Sequence, residues 1–319
     1  MDELTRAIGG YFELETTPKE NYLHDGLLAL NTARNSFEYI LLARGYIHVY
    51  IPYFTCNVML EPIKKLGLSY SFYDVDDYLE PVFDYGKIQG DEAFLITNYF
   101  GIKGSFIRNI AGKIPNLIVD NAQAFFEQPL PRIDTIYSPR KFVGIADGGY
   151  VSTTATAETH LETDHSYTRM NHLLKRCDLG AEAGYPDFQV NDAALQHQAI
   201  KMMSPLTRKI LASLDYAYIA EMRRKNFEFL HQHLGESNLL RLQYNNTAVP
   251  MVYPYRTRNA QAIREKLLQN RIFCATYWPN VKVWCSGNEN SYHLTNEIVA
   301  IPLDQRYGID EMKLILEHV

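Results

Sequence analysis

Apolar and polar positions switch between two periods along the first half of the chain. Residues 36–44 repeat apolar side chains at helical spacing, 48–52 form a short apolar run closed by a proline, 58–65 read as helix, and 69–75 read as strand. Further strands are predicted over 93–97 and 116–119, with a helix over 106–111 between them. Short, largely apolar strands alternating with helices predict a mostly parallel sheet covered by helices on both faces. In such sheets ligands bind outside the carboxyl ends of the strands, so chemistry is expected in the loops that follow them.

The second half has a different rhythm. A polar stretch over 154–165 precedes a long helical region predicted over 193–234, where Leu206, Ile210, Leu211, Leu214 and Ala217 fall on one face as core packing. Gly235-Glu236-Ser237-Asn238 ends that helix. A smaller αβ pattern follows: strand 249–253, helix 260–269, strands 272–275 and 298–302, and helix 310–317. No internal repeat or low-complexity linker interrupts the chain. The predicted organisation is a large α/β domain with its connecting helix over 1–234 and a small C-terminal α/β domain over 235–319.

Composition narrows the partners. At 319 residues, 46% hydrophobic and 21% charged, the chain has the balance of a soluble globular protein with a sizeable core. A net charge of −6 argues against binding a phosphate backbone, so no nucleic-acid partner is expected. Met1-Asp2-Glu3-Leu4-Thr5-Arg6 lacks a basic region running into an apolar one, which predicts no secretory signal. No apolar run approaches the roughly 20 residues that cross a bilayer, so no membrane partner is expected either. Cys56, Cys177, Cys274 and Cys285 are scattered, without a paired spacing or a histidine at ligand distance. A reduced, cytoplasmic protein without a metal site is the expectation.

Three segments carry candidate chemistry. In Leu117-Ile118-Val119-Asp120, apolar β-formers deliver a carboxylate to the end of a buried strand, either as a helix cap or as the partner of a fixed cation. In Tyr137-Ser138-Pro139-Arg140-Lys141-Phe142-Val143-Gly144, a lysine stands among apolar residues in a glycine-bearing loop. Lys141 is either an ordinary loop lysine or an amine whose pKa is depressed by apolar neighbours and which forms a Schiff base. Asn31-Thr32-Ala33-Arg34-Asn35-Ser36 opens the first helix with small and polar residues, as a plain cap does and as a phosphate site does. Arg34 is either a surface residue or a second anion contact.

Taken in order, these segments resemble the DegT/DnrJ-type sugar aminotransferases, a branch of the fold-type I pyridoxal-phosphate enzymes. Gly9-Gly10-Tyr11-Phe12-Glu13 is similar to the opening of some members, Ile51-Pro52-Tyr53-Phe54-Thr55 to V-P-x-x-T, and Tyr73-Asp74-Val75-Asp76 to V-D-I-D. Asp120-Asn121-Ala122-Gln123 matches D-x-A-Q, and Pro139-Arg140-Lys141 with Asp147-Gly148-Gly149 resembles P-T-K followed by G-E-G-G. Met203-Ser204-Pro205-Leu206 resembles the start of the long helix. The resemblance implies the fold-type I architecture and pyridoxal 5'-phosphate as cofactor. Lys141 would hold it as a Schiff base, Asp120 would keep its ring nitrogen protonated, and Gln123 would touch it from the same loop. Ala33, Arg34 and Asn35 would cradle its phosphate. Cys56 stands where a side chain over the ring is usual, and Ser138 would supply the phosphate hydroxyl that Ile136 cannot. Ile200-Lys201-Met202 replaces the N-x-R that members lend to the neighbouring subunit.

The implied reaction moves an amino group, from glutamate as the usual donor, to a keto-sugar nucleotide in surface-polysaccharide or deoxyamino-sugar biosynthesis, in a homodimer. Alternatives are a sugar dehydratase or other lyase on the same cofactor, and a degenerate, non-catalytic relative. Members that are dehydratases typically replace the lysine, which is present here. A nicotinamide dehydrogenase is disfavoured, since no G-x-G-x-x-G follows the first strand.

Overall fold

The computed structural model describes residues 10–17 and 23–319; Gly9 and the opening six residues discussed above lie outside them. β1 (Leu28–Leu30) runs into α1 (Ala33–Arg44), β2 (His48–Pro52) into α2 (Leu60–Lys65), and β3 (Ser69–Val75) turns back through β4 (Pro81–Val82). β5 (Glu92–Thr97), α3 (Gly104–Ile110), β6 (Leu117–Asn121), β7 (Asp134–Tyr137) and β8 (Gly149–Ser152) complete one sheet ordered β1-β8-β7-β6-β5-β2-β3-β4. β3, β2, β5, β6 and β7 pair in parallel, while β8 is antiparallel to β7 and β1. The mostly parallel sheet expected from the pattern is present. β1, two antiparallel steps from β7, runs in the same direction as the parallel strands.

Successive strand residues face opposite sides of a sheet, and the two cores follow that rule. Leu95, Ile118 and Ile136 pack with Phe37, Ile40 and Leu41 of α1 on one face. Phe94, Ile96, Val119 and Tyr137 pack on the other, in a core that also takes in C-terminal residues such as Tyr253, Trp278 and Ile301. Alternation continued past Ile118 and Ile136 aims Asp120 and Ser138 toward the α1 face. Because β1 runs with β6 and β7, the start of α1 lies at the same end of the sheet as their carboxyl termini.

The long helix expected over 193–234 is not continuous. α4 (Asn171–Leu179) and α5 (Ala181–Ala194) form a helical hairpin that the pattern did not predict, and α6 (Pro205–Ala212) and α7 (Tyr216–Leu234) are separate. Residues 195–204 leave the helix because the edge of β1 offers them backbone partners: Asn31 N–H donates to the Lys201 carbonyl and Met203 N–H to the Ala29 carbonyl. Ser204 then caps α6, whose first residue is the proline that a helix interior excludes. Asp215 caps α7 in turn. The apolar stripe is broken with the helix. Leu211 is buried and Ile210 and Leu214 pack against it, but Ala217 is exposed.

Downstream, β9 (Tyr253–Arg256) starts where the predicted strand was to end, and α8 (Ala260–Gln269) matches its prediction. The strand expected over 272–275 reduces to an isolated bridge between Ala275 and Ala300. α9 (Val281–Trp284), α10 (Asn290–Glu297), β10 (Ile298–Ile301), paired antiparallel with β9, and α11 (Ile309–Leu316) finish the chain. No helix among the described residues is long and apolar enough to cross a membrane, and no cluster of three metal-ligating side chains is found among them.

Two sites bind the start of α1 to β8. Thr32 forms a bridge with Gly148, and a Cβ added at Gly149 would stand 2.4 Å from the Thr32 carbonyl carbon and 2.5 Å from the Ala33 nitrogen. Those are backbone atoms, which cannot step aside. Gly149→Ala is therefore expected to cost about 1–3 kcal/mol, measured by urea unfolding. Gly112→Ala, where an added Cβ meets nothing within 4 Å, is expected to lie close to the parent protein.

Candidate active site

The carboxyl ends of β2, β5, β6 and β7 bring Cys56, Asn98, Asp120 and the Lys141 turn to one end of the sheet. Asp120, at 5% exposure, lies between Thr97 of β5 and Ile136 of β7. No helix follows β6, so Asp120 is not a helix cap; it closes a turn by accepting the Ala122 N–H at 2.8 Å. No ion pair to Asp120 is found among the described residues. Burial pushes its carboxyl above the ordinary carboxylate pKa, opposed by the nearby Lys141 ammonium and the Ala122 N–H. The Lys141 charge therefore acts on Asp120 at this end of the sheet.

Lys141 ends a single 3-10 turn, Pro139–Lys141. Such a turn rotates neighbouring residues well apart. Phe142 and Ile145 accordingly enter the core while Lys141 is exposed. This corrects the expectation of an amine packed among its apolar neighbours. Ser138 is buried on the Asp120 face of the sheet.

Gln123 follows Asp120 into the same turn region and is buried. Its Oε1 accepts the Phe100 N–H at 2.8 Å, and its buried Nε2 has no acceptor among the described residues. A buried donor left open costs stability unless something accepts from it.

The start of α1 is less free than its sequence implied. The Arg34 guanidinium is held by Glu61 at 2.7 Å and the Leu195 carbonyl at 3.0 Å. Asn35 donates to Glu38 and to the Gln198 carbonyl, and its N–H is capped by Thr32. Both side chains are engaged inside the chain, Arg34 with its Nε left open, and Ala33 has no polar group to offer. What this segment presents to an anion is the backbone and dipole of a helix start, not charged side chains. Lys201 meets the same region through its backbone, since its N–H donates to the Asn31 side chain at 3.2 Å.

Cys56 is half-buried beside Tyr277, whose hydroxyl is held well above its ordinary pKa mainly by burial. The C-terminal segment reaches this corner through Asn280, which donates to the Thr55 carbonyl at 2.9 Å. Trp278 is buried edge-on to Phe54 at 4.9 Å and so belongs to the core. Arg306 is engaged with Asp304 through two bonds of 2.7 and 2.8 Å.

A further element is Asp147, which receives the Ser204 N–H and hydroxyl, both at 2.8 Å, and the Thr207 hydroxyl. It joins the glycine-bearing loop after Lys141 to the start of α6. Two of the motifs read separately in the sequence are thus one buried junction.

No known family profile matches this chain, and no curated protein does. Its fold is that of solved sugar aminotransferases. DesV of S. venezuelae, crystallised in complex with a ketimine intermediate, aligns over 92% of this chain and 83% of its own, at 13% identity and a TM-score of 0.68. NtdA of Bacillus subtilis, with bound cofactor PMP, aligns over 92% and 72%, at 15% identity and a TM-score of 0.64. A DegT DnrJ EryC1 StrS aminotransferase of Brucella abortus aligns over 91% and 85%, at 15% identity and a TM-score of 0.61. At these identities the likeness establishes the architecture, the fold-type I arrangement that the resemblance implied.

Asp120 gives a sign-definite test on the cofactor-free protein. A carboxyl whose folded pKa is raised stabilises the fold while protonated and loses that contribution as pH rises through the folded value. Asp120→Asn keeps an acceptor for Ala122 and removes the charge. The variant is expected to unfold at higher temperature than the parent at neutral pH, with the difference shrinking as pH falls, read by thermal unfolding across a pH series.

Proposed function

We propose that this chain is a pyridoxal 5'-phosphate-dependent aminotransferase that moves an amino group, with glutamate as donor, to a keto-sugar nucleotide of surface-polysaccharide or deoxyamino-sugar biosynthesis. The observation that carries this reading is the buried Asp120 carboxyl at the carboxyl end of the sheet, without an ion-pair partner among the described residues and close enough to Lys141 for its charge to act on it. The residues present fit the cofactor. Asp120 would meet a protonated ring nitrogen, and the open Gln123 Nε2 is a buried donor awaiting an acceptor. Ser138 and the start of α1 would hold the phosphate, through a hydroxyl and a helix dipole. Cys56 would pack against the ring as a small polarizable group.

When bound, the cofactor supplies the electron sink for breaking a carbon–hydrogen bond. The chain's own work is acid–base and positional. Lys141 would anchor the group through its amine and would serve as the base and acid that takes up and returns the substrate's proton. Asp120 would hold the ring nitrogen protonated.

The domain division at Leu234/Gly235 and a cytoplasmic location belong to this reading, as does a homodimer. Lys141 is exposed in the single chain, so exclusion of water from its amine calls for a second copy. The α4–α5 hairpin turns Leu179, Tyr185 and Val190 outward, 58–70% exposed, and is apolar enough to meet one. The side-chain commitments of Arg34 and Asn35 favour one competitor, a chain that keeps the fold without the chemistry. Mixing with pyridoxal phosphate separates the two. The proposed enzyme develops a visible absorption band that borohydride removes, with the adduct on Lys141, and glutamate bleaches that band. A protein that stays colourless supports the non-catalytic reading, and a band left unchanged by glutamate supports a lyase. Lys141→Ala is expected to fold normally and to lose turnover by several orders of magnitude, a drop that steady-state assay of amino transfer checks.

A further inference from the structure

Arg223, on α7, is 2% exposed and the bulkiest of the fully buried side chains. Its guanidinium donates to the Phe142 carbonyl at 3.2 Å, the Pro250 carbonyl at 3.2 Å and the Met251 carbonyl at 3.0 Å. Its Nε donates to Gln305 Oε1 at 3.0 Å, and Gln305 Nε2 donates to the same Phe142 carbonyl at 2.8 Å. The guanidinium also lies over the Phe142 ring, 4.6 Å from its centre. No carboxylate forms an ion pair with Arg223 among the described residues; burial pushes it down to about 10, with Asp304 opposing.

A buried cation without a paired carboxylate is an expensive way to hold a helix, since a leucine or methionine would pack there without desolvation. An arginine can do what those cannot, because its planar fork fixes several acceptors from separate segments at once. The segments it fixes all lead to the candidate site. Phe142 is the residue after Lys141. Met251 N–H donates to the Phe100 carbonyl at 2.8 Å, and Phe100 N–H donates to Gln123 Oε1 at 2.8 Å. One guanidinium thus anchors both the turn that carries Lys141 and, through Met251 and Phe100, the side chain of Gln123. We infer that Arg223 is a positioning residue, which sets the Lys141 amine against the Asp120–Gln123 turn. The inference rests on the proposed role of Lys141 as the reactive amine.

The test uses Arg223→Met, which keeps the bulk, and Arg223→Lys, which keeps the charge but cannot span the same acceptors. Three quantities are read for each variant. They are the rate at which the visible band forms with pyridoxal phosphate, the affinity for 4-deoxypyridoxine phosphate, which lacks the aldehyde, and amide hydrogen exchange of the cofactor-free protein. Band formation is expected to slow about tenfold or more, while analogue affinity stays near that of the parent. Exchange should accelerate together around Phe142 and around Gln123. Should Arg223→Met fail to fold, Arg223→Lys carries the same expectations. Band formation at the parental rate overturns the inference. So does a parallel loss of analogue affinity with exchange accelerated throughout the chain, the mark of a merely structural role. If the parent protein forms no band, the proposed function falls, and the linked exchange at Phe142 and Gln123 still decides whether Arg223 couples the two turns.

Discussion

A carboxylate at the end of a buried strand has to be met by positive charge, because the interior cannot solvate it. Asp120 is in that position, with the Ala122 N–H as its one bonded partner among the described residues and the Lys141 ammonium acting against the penalty of its burial. The remainder of the site is arranged around this requirement. β5 and β7 flank the strand that carries Asp120, the turn after β7 supplies the amine, and the face to which Asp120 belongs is the face on which α1 begins. A protonated heterocycle held by Lys141 would satisfy the carboxylate in full.

Burial cuts both ways at such a site. It destabilises the cofactor-free protein through Asp120, and it holds ready a field that a bound cation would feel undiluted by water. The same economy recurs at Gln123, whose Nε2 is buried and open. Around the start of α1 the opposite choice was made. Arg34 and Asn35 are engaged within the chain by Glu61, Leu195, Glu38 and Gln198, with Arg34 Nε alone left open among the described residues. An anion there would meet backbone and dipole, which accept many phosphates with little discrimination. The segment 195–204, which supplies several of those partners, is also the segment that leaves the helix to line the edge of β1.

The parts of this arrangement set by local pattern were legible in the sequence. The strands ending at Pro52, Val75 and Thr97 read correctly, the last as an apolar run buried on both faces and the first two through their aromatic and β-branched residues. Asp120 stood out because it closes an apolar run, and Lys141 because it stands among apolar residues in a glycine-bearing loop. The parts set by tertiary competition were not legible. Nothing local says that residues 195–204 will prefer the edge of β1 to helix, or that Phe142 will turn inward and leave Lys141 exposed. The α4–α5 hairpin escaped because its apolar residues face outward and Pro186 interrupts its middle. Arg34 could not be assigned from sequence, since its partner Glu61 lies on another element. Arg223 left one faint signal: a charged residue on the buried stripe of α7, between Ala220 and Phe227.

The most direct measurement is a crystal structure of the protein grown with pyridoxal phosphate. The account predicts continuous density from the Lys141 amine to the cofactor, with an Asp120 carboxylate oxygen within hydrogen-bonding distance of the ring nitrogen. Density elsewhere on the molecule, or a ring seated at Lys141 with Asp120 turned away from it, would contradict the account at its root.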